Sequence, residues 1–279
     1  STELTHQLDL VKQLRQAFLR EAMQGKLVPQ DPTDEPASVL LEKIKAEKER
    51  LTKEKKIKKQ KPLPPISEEE IPFDIPENWV WCRLGEIVEH TFYGPRFSNS
   101  DYVKCGIPTI RTTDMSEYGI IELKDAPMVK LTSQSKIDLY KIDYNDLLIT
   151  RTGSIGTMAL FKSDYLAIPS AYLIRCRFMI LEMADYLFRF LKSDYSLDYF
   201  GLNTKTGTRP NINAVSISNL IISLPPLPEQ QRIVAKLDEL MAYCDELEAS
   251  IKESQQQNEQ LLQQVLREAL EPKEKEVTG

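Results

Sequence analysis

The sequence is poor in the residues on which most catalysis depends. Its 279 residues include two histidines, His6 and His90, and four scattered cysteines, Cys82, Cys105, Cys176 and Cys244. No C-x-x-C pair occurs, so neither a zinc site nor a disulfide framework is suggested. Reduced thiols and a cytoplasmic setting are the expectation. Two histidines leave almost no material for a Ser-His-Asp, Cys-His or multi-histidine metal mechanism. His6 lies in a charged helical segment and reads as solvated, and His90 has two readings, a ligand contact and a surface or partly buried structural residue. Positive charge is not in excess either, since the net charge is −6. A nucleic-acid-binding role would therefore need local basic patches rather than a global field. No G-x-x-x-x-G-K-[ST] phosphate loop is present. No apolar run reaches transmembrane length and no signal peptide is read, so no membrane role is expected.

What is present falls into three stretches. The first, "ELTHQLDLVKQLRQAFLREAMQGKL", carries Leu4, Leu8, Val11, Leu14 and Phe18 at helical spacing, and Gly25 supplies a stop. A second helix is predicted from about Ala37, with Leu40, Leu41, Ile44 and Leu51 near one face. It dissolves into "KEKKIKKQK", residues 53–61, and then "PLPPISEEEIP", which read together as a basic, proline-rich linker. The basic run has two readings, a solvated face and a source of non-specific phosphate attraction.

From residue 72 to 226 the character changes. Short apolar and β-branched runs predict strands: "WVWCRLG", "IPTIR", "DLLITR", "YLAIP", "AYLIRCRFMI" and "NLIISLPPL". "MADYLFRFLKSDYSLDYF" predicts a helix pair or one bent helix. Trp79 and Trp81 are expected in the core. From residue 227 to 279 the chain changes again. Leu237, Leu240, Cys244, Leu247, Ile251, Ser254, Asn258, Leu261 and Val265 alternate three and four apart, which is an a/d heptad seam. The spacing predicts a helix roughly 65 Å long, at about 1.5 Å per residue, whose seam needs a partner helix. Ser254 and Asn258 are polar seam positions of the kind that fix register.

Several segments together carry a family resemblance: "IPENWVWCRLGEI" (75–87), "GIPTIRTTDM" (106–115), "DLLITRTGSIGTMALF" (146–161), "TGTRPNINAVSISNLIISLPPLPEQQRIVAKLDEL" (206–240) and "LRQAFLREAMQGKLVPQDPTDEPASVLLEKIKAEKERL" (14–51). The chain resembles the specificity subunit of type I restriction–modification systems, and "LPPLPEQQRI" is the most specific match. A full specificity subunit holds two target recognition domains, and this chain is similar to one half. The resemblance implies an α+β fold. It implies a mixed α/β target recognition domain over 72–226, with a long C-terminal coiled-coil helix packed on the N-terminal helical segment. It implies sequence-specific DNA binding without catalysis. The chain itself would bind no cofactor, and S-adenosylmethionine, ATP and Mg would belong to the modification and restriction subunits that dock on it. The residues agree on one negative point: no N-P-P-F or D-P-P-Y methyltransferase motif occurs.

Four stretches are candidates for DNA contact. "TFYGPRFSNSDY" reads as a turn-rich loop in which Tyr93, Arg96 and Asn99, with Phe92 and Phe97, suit base and backbone contact; a loop pinned by its own aromatics is the other reading. "RTTD" follows a strand and offers Arg111, Thr112 and Thr113. Asp114 there reads as a turn cap or as an acceptor for cytosine. "TRTGSIGT" reads as a hairpin, either purely structural or also sending Arg151, Thr152 and Ser154 toward DNA. It lacks the lysine and helix N-terminus of a phosphate cradle. "NTKTGTRPN" groups Lys205, Thr206, Thr208, Arg209 and Asn211 around a glycine, which suits phosphate positioning.

Three functions compete: a DNA-recognition subunit that positions methyltransferase partners, a coiled-coil protein-binding adaptor, and a nucleotide-using enzyme built on residues 150–157. A natural half-subunit would pair with a second copy through its helical ends and read an interrupted palindrome, whereas a fragment of a two-domain subunit would belong to an asymmetric target.

Overall fold

In the computed structural model, residues 2–152, 156–204 and 211–270 are described. The chain divides into two compact units, one of residues 1–18 with 236–279 and one of residues 19–235.

Two helices open the chain, α1 (Thr2–Met23) and α2 (Ala37–Lys53). Gly25 ends the first with φ +67, a conformation glycine adopts without strain. Strand β1 (Val80–Arg83) leads into the short α3 (Leu84–Ile87) and then β2 (Val88–Tyr93). Then come β3 (Tyr102–Val103), β4 (Ile107–Ile110), β5 (Met128–Val129), α4 (Gln134–Tyr140), β6 (Leu147–Thr150), β7 (Met158–Leu160), β8 (Ile168–Pro169) and β9 (Leu173–Phe178). The predicted helix pair is α5 (Ala184–Leu191) and α6 (Asp194–Leu202), broken where the Ser193 side chain caps the second helix by accepting from Ser196 N. After α7 (Ala214–Asn219) and β10 (Ile221–Leu224), α8 (Leu227–Leu270) runs for 44 residues.

The strands form three sheets. One is the antiparallel ribbon β1–β10 and one the four-stranded antiparallel sheet β2–β9–β6–β7. The third, β3–β5–β4–β8, contains a parallel β4–β8 pair. Strand β6 is interior in its sheet, and Leu147, Leu148 and Ile149 are each 0% exposed, which is why its sequence is a continuous apolar run. Leu148 joins Ile110, Ile142, Phe161 and Leu173 in one core cluster. Trp79 is buried and Trp81 half-buried against Phe73.

All six predicted strands are present, but residues 91–102 are not simply a loop. Thr91, Phe92 and Tyr93 complete β2, paired with Cys176, Arg175 and Ile174 of β9. The pairing satisfies backbone groups that a loop would leave to water. The proline-rich stretch is held as well: the Arg83 side chain donates to Pro64 O (2.7 Å), Pro65 O (3.0 Å) and both oxygens of Glu70.

"LPPLPEQQRI" has a local physical basis. Pro225 and Pro226 cannot extend the sheet, and Pro228 is tolerated in the first turn of α8, where its missing N–H has no intrahelical partner. Gln230 Nε2 donates to Pro225 O (2.9 Å), and the buried Glu229 accepts from Trp79 Nε1 (2.9 Å) and Gln30 Nε2 (2.6 Å).

In the unit of residues 1–18 and 236–279, the two helices meet through Arg15. It donates to Asp245 Oδ1 (2.7 Å), Glu248 Oε2 (3.2 Å) and Met241 O (3.5 Å). Leu14, expected on the apolar stripe, is exposed, and the neighbouring Arg15 takes the inward position. Along the seam Leu237 and Cys244 are buried, and Leu240 and Ile251 half-buried. Leu247, Asn258, Leu261 and Val265 are exposed, as is Ser254. Leu262 and Leu266 are more than half exposed too, so the distal apolar face is wider than a strict a/d seam.

Candidate nucleic-acid interface

The candidate DNA-contact residues come from separate parts of the sequence, and strand pairing brings many of them together. Strand β2 is followed by Gly94, where a Cβ atom would stand 1.9 Å from Ser170 O. That approach, which only glycine permits, turns Pro95 and Arg96 in beside the end of β8. Strands β6 and β7 form the predicted hairpin, with Leu147↔Leu160 and Ile149↔Met158 in register and Gly156 at φ +86. The hairpin's first arm is tied to the segment before α7: Thr152 bridges Asn211, and Ile212 N donates to Arg151 O (3.0 Å). Arg151 N donates to Tyr172 O (2.9 Å), so the Arg151 backbone is fixed on both sides.

The result is a cleft of about 860 Å³. Eight of the residues read from the sequence line it: Arg96, Phe97, Arg111, Thr112, Thr113, Arg151, Thr152 and Asn211. Tyr102, Tyr172, Thr109 and Ser170 line it with them. Asn99 does not line this cleft. It lies in the 3-10 turn Asn99–Asp101, whose Asp101 side chain caps Ser98. Ser154, Lys205, Thr206, Thr208 and Arg209 lie outside the described residues.

The three cleft arginines are not equivalent. Arg111 is engaged: its Nη2 donates to Asp114 Oδ1 (2.8 Å), its Nε to Oδ2 (3.1 Å), and its backbone N to Oδ2 (2.7 Å). Its hydrogen bonds to the Asp114 carboxylate push the Arg111 guanidinium above its ordinary pKa. Asp114 is 6% exposed and caps the turn, the structural role read for it. Arg151 forms no side-chain hydrogen bond or ion pair among the described residues, and its Nε is buried. Its guanidinium lies over the Tyr93 ring, 4.7 Å from the centroid, and Tyr93 Oη accepts from Ala214 N (2.9 Å). Tyr93 thus supports the cleft from behind Arg151 and is not among its lining residues.

Two buried hydroxyls in the lining were not singled out from the sequence. Thr109 is 2% and Ser170 8% exposed, and neither hydroxyl has a hydrogen-bond partner among the described residues. The signal was there in β4: Thr109 and Arg111 are two apart and so share a face, opposite Ile110 in the core.

Behind the cleft, Phe92 carries a second stacked arginine, Arg175, at 5.0 Å. Arg175 is 2% exposed; it donates to Lys141 O, and its Nη2 lies 2.9 Å from His90 Nε2. Desolvation pushes its guanidinium below the ordinary range. Asp146, 0% exposed, accepts from Arg177 Nε (2.8 Å) and Nη2 (2.7 Å). His90 is held between Glu89 and Arg175, a structural contact. No group of three or more metal-ligating side chains occurs among the described residues. No described helix is long and apolar enough to cross a membrane.

Among curated relatives, the specificity subunit of the type I restriction enzyme EcoAI from Escherichia coli is 36% identical over 258 residues, 88% of this chain and 42% of that protein. The EcoEI specificity subunit from the same species is 34% identical over 257 residues, again 42% of its length. The chain thus spans about two-fifths of these relatives. A chain from a solved type I R-M system shares the fold at a TM-score of 0.57 and 22% identity, over 84% of this chain and 54% of that one. Residues 76–257 match the model of the type I restriction modification DNA specificity domain, and with that match over more than half of its length the chain belongs to this family.

Proposed function

We propose that this chain is a DNA sequence-recognition module, reading one half-site and leaving methylation and cleavage to subunits that dock on it. One observation carries the reading. Residues from four separate segments converge on a single cleft in which Arg96 and Arg151 have no acidic side-chain partner among the described residues. A concave site with uncommitted guanidinium groups, hydroxyls and an amide suits phosphate and base-edge contact. The partners are double-stranded DNA, modification (methyltransferase) subunits and a restriction subunit. S-adenosylmethionine, ATP and Mg belong to those partners. The exposed distal face of α8 supports docking of a further helix, from a second copy or from the other half of a longer subunit.

The test is methylome sequencing of cells with and without the gene, paired with salt-dependent binding of duplexes that carry the motif found. A motif that disappears with the gene, and binding that prefers it, is the expected result. Binding indifferent to sequence would favour the protein-binding adaptor instead.

A further inference from the structure

Strand β2 presents two successive aromatics to opposite faces of its sheet, as the two-residue period of a strand dictates. Each carries an arginine. Phe92 faces inward and stacks Arg175, whose Nη1 donates to Lys141 O, whose Nη2 lies against His90 and whose Nε faces the buried Asp146 carboxylate at 3.8 Å. Tyr93 faces the other way and stacks Arg151, whose side-chain donors have no acceptor among the described residues. The first pair is a finished structural element. The second has the same geometry with its hydrogen-bonding capacity left open, in a cleft.

Tyr93 is itself fixed at both ends. Its backbone pairs with Ile174 of β9, and its hydroxyl accepts from the N–H of Ala214, the first residue of α7. A long flexible guanidinium loses rotamer freedom when it binds, and a rigid aromatic platform removes part of that cost in advance. The ring takes up none of the guanidinium's N–H donors by a conventional hydrogen bond, and no described side chain accepts from them.

We propose that Tyr93 is a positioning residue that acts on DNA through Arg151. Its ring holds the Arg151 guanidinium with the donor edge toward DNA, and its hydroxyl links that contact to the start of α7. This inference rests on the DNA-recognition reading and adds a division of labour within it: Arg151 touches DNA, Tyr93 does not, and Arg111 is committed to Asp114.

The experiment is a double-mutant cycle on the full chain in its complex with modification subunits. Affinity for a motif-bearing duplex is read beside the thermal midpoint. Tyr93→Leu removes the platform and should weaken binding roughly tenfold, the size of a partly desolvated cation–π contact. Tyr93→Phe keeps the ring and should stay within about threefold of the parent. Tyr93→Leu made in an Arg151→Ala background should cause no further loss, because the residue it positions is gone. A merely structural Tyr93 would instead lower the midpoint and weaken both backgrounds alike. Additive losses overturn the proposal, as does full affinity in Tyr93→Leu or Arg151→Ala. A parent complex that binds no duplex at all defeats the DNA reading itself, a result distinct from any of these.

Discussion

Arg111 and Asp114 form a closed pair: two side-chain bonds of 2.8 and 3.1 Å and a backbone bond of 2.7 Å leave the buried carboxylate fully engaged within one turn. The pair lies in the same cleft as Arg151, which has no such partner. Equal sequence credentials therefore lead to unequal roles. Asp114→Ala should destabilise the domain by about 1–3 kcal/mol, the usual cost of losing a charge-assisted bond and a cap. Arg151→Ala should leave stability nearly unchanged and weaken DNA binding. Urea unfolding of the two variants beside a binding titration checks both halves. Equal stability loss in both would contradict the division.

Thr109 and Ser170 give the opposite signature. A buried hydroxyl without a partner costs free energy in the unbound protein. Thr109→Val keeps the shape and removes the unpaired group, so the free protein should gain about 1 kcal/mol. Ser170→Ala should act in the same direction. The denaturant midpoint reports it, and a fall in either variant would show that the hydroxyl is satisfied.

Much of the fold was legible because it is local. The apolar runs of β1, β4, β6, β8, β9 and β10, the Gly25 stop of α1, the apolar face of α2 and the uninterrupted α8 are set by period and by glycine or proline placement. Strand β2 was not read in full, because "VEHTFY" mixes charged and polar residues with its aromatics and becomes a strand by pairing with the distant β9. The cleft follows the same logic. Arg96, Arg111 and Arg151 could be picked out as basic residues in turn-rich segments. Their convergence depends on the Thr152–Asn211 bridge and the Gly94–Ser170 approach, neither of which leaves a local mark. Thr109 and Ser170 were passed over because they sit in apolar strand segments, where a hydroxyl resembles a packing choice.

Gly94 is a sharp test of how the cleft is built. Its missing side chain lets the end of β2 approach Ser170, and an added methyl group would lie within 2.5 Å of Ser170 O, Ser170 C and Pro169 O. These are backbone atoms that no rotamer change can move. Gly94→Ala should cost roughly 3 kcal/mol, at the upper end of ordinary overpacking. A thermal midpoint unchanged from the parent would mean that β2 and β8 can separate without penalty.

Glu229 makes stability depend on pH. Burial, opposed by hydrogen bonds from Trp79 and Gln30, raises its pKa above the ordinary 4.5. A raised folded-state value means that the native protein holds this proton more tightly than the unfolded chain. The contribution is fully present below pH 4.5 and is lost as pH rises through the folded pKa. Glu229→Gln removes that titration while keeping a group that can accept from Trp79. The stability of the variant relative to the parent should therefore increase with pH from 4.5 toward neutrality. A difference that is flat or falls over that range would show the carboxylate to be better solvated than its burial indicates.

The distal part of α8 carries the last prediction. Leu261, Leu262, Val265 and Leu266 are 60, 59, 52 and 51% exposed, while Leu237, earlier on the same helix, is 1% exposed. A run of leucine and valine in two adjacent turns exposes enough apolar surface to drive helix association, at about 25 cal/mol per Å² removed from water. The flanking positions are mostly Gln and Glu, and Glu259 and Glu268 are each already bonded by a glutamine four residues earlier. A partner helix would therefore gain from the apolar stripe more than from ion pairing, and association should depend only weakly on salt. Leu261→Asp with Val265→Asp should shift light scattering from a concentration-dependent oligomer to a monomer. Unfolding of the unit of residues 19–235 should be unaffected, since the substituted side chains lie outside it. If the parent chain remains monomeric at every concentration, the face awaits a helix from another chain, and the same two aspartates should then abolish assembly with modification subunits or with the second half of a longer specificity subunit. A doubly substituted chain that still assembles with each of these would show that the exposed stripe is not a docking surface.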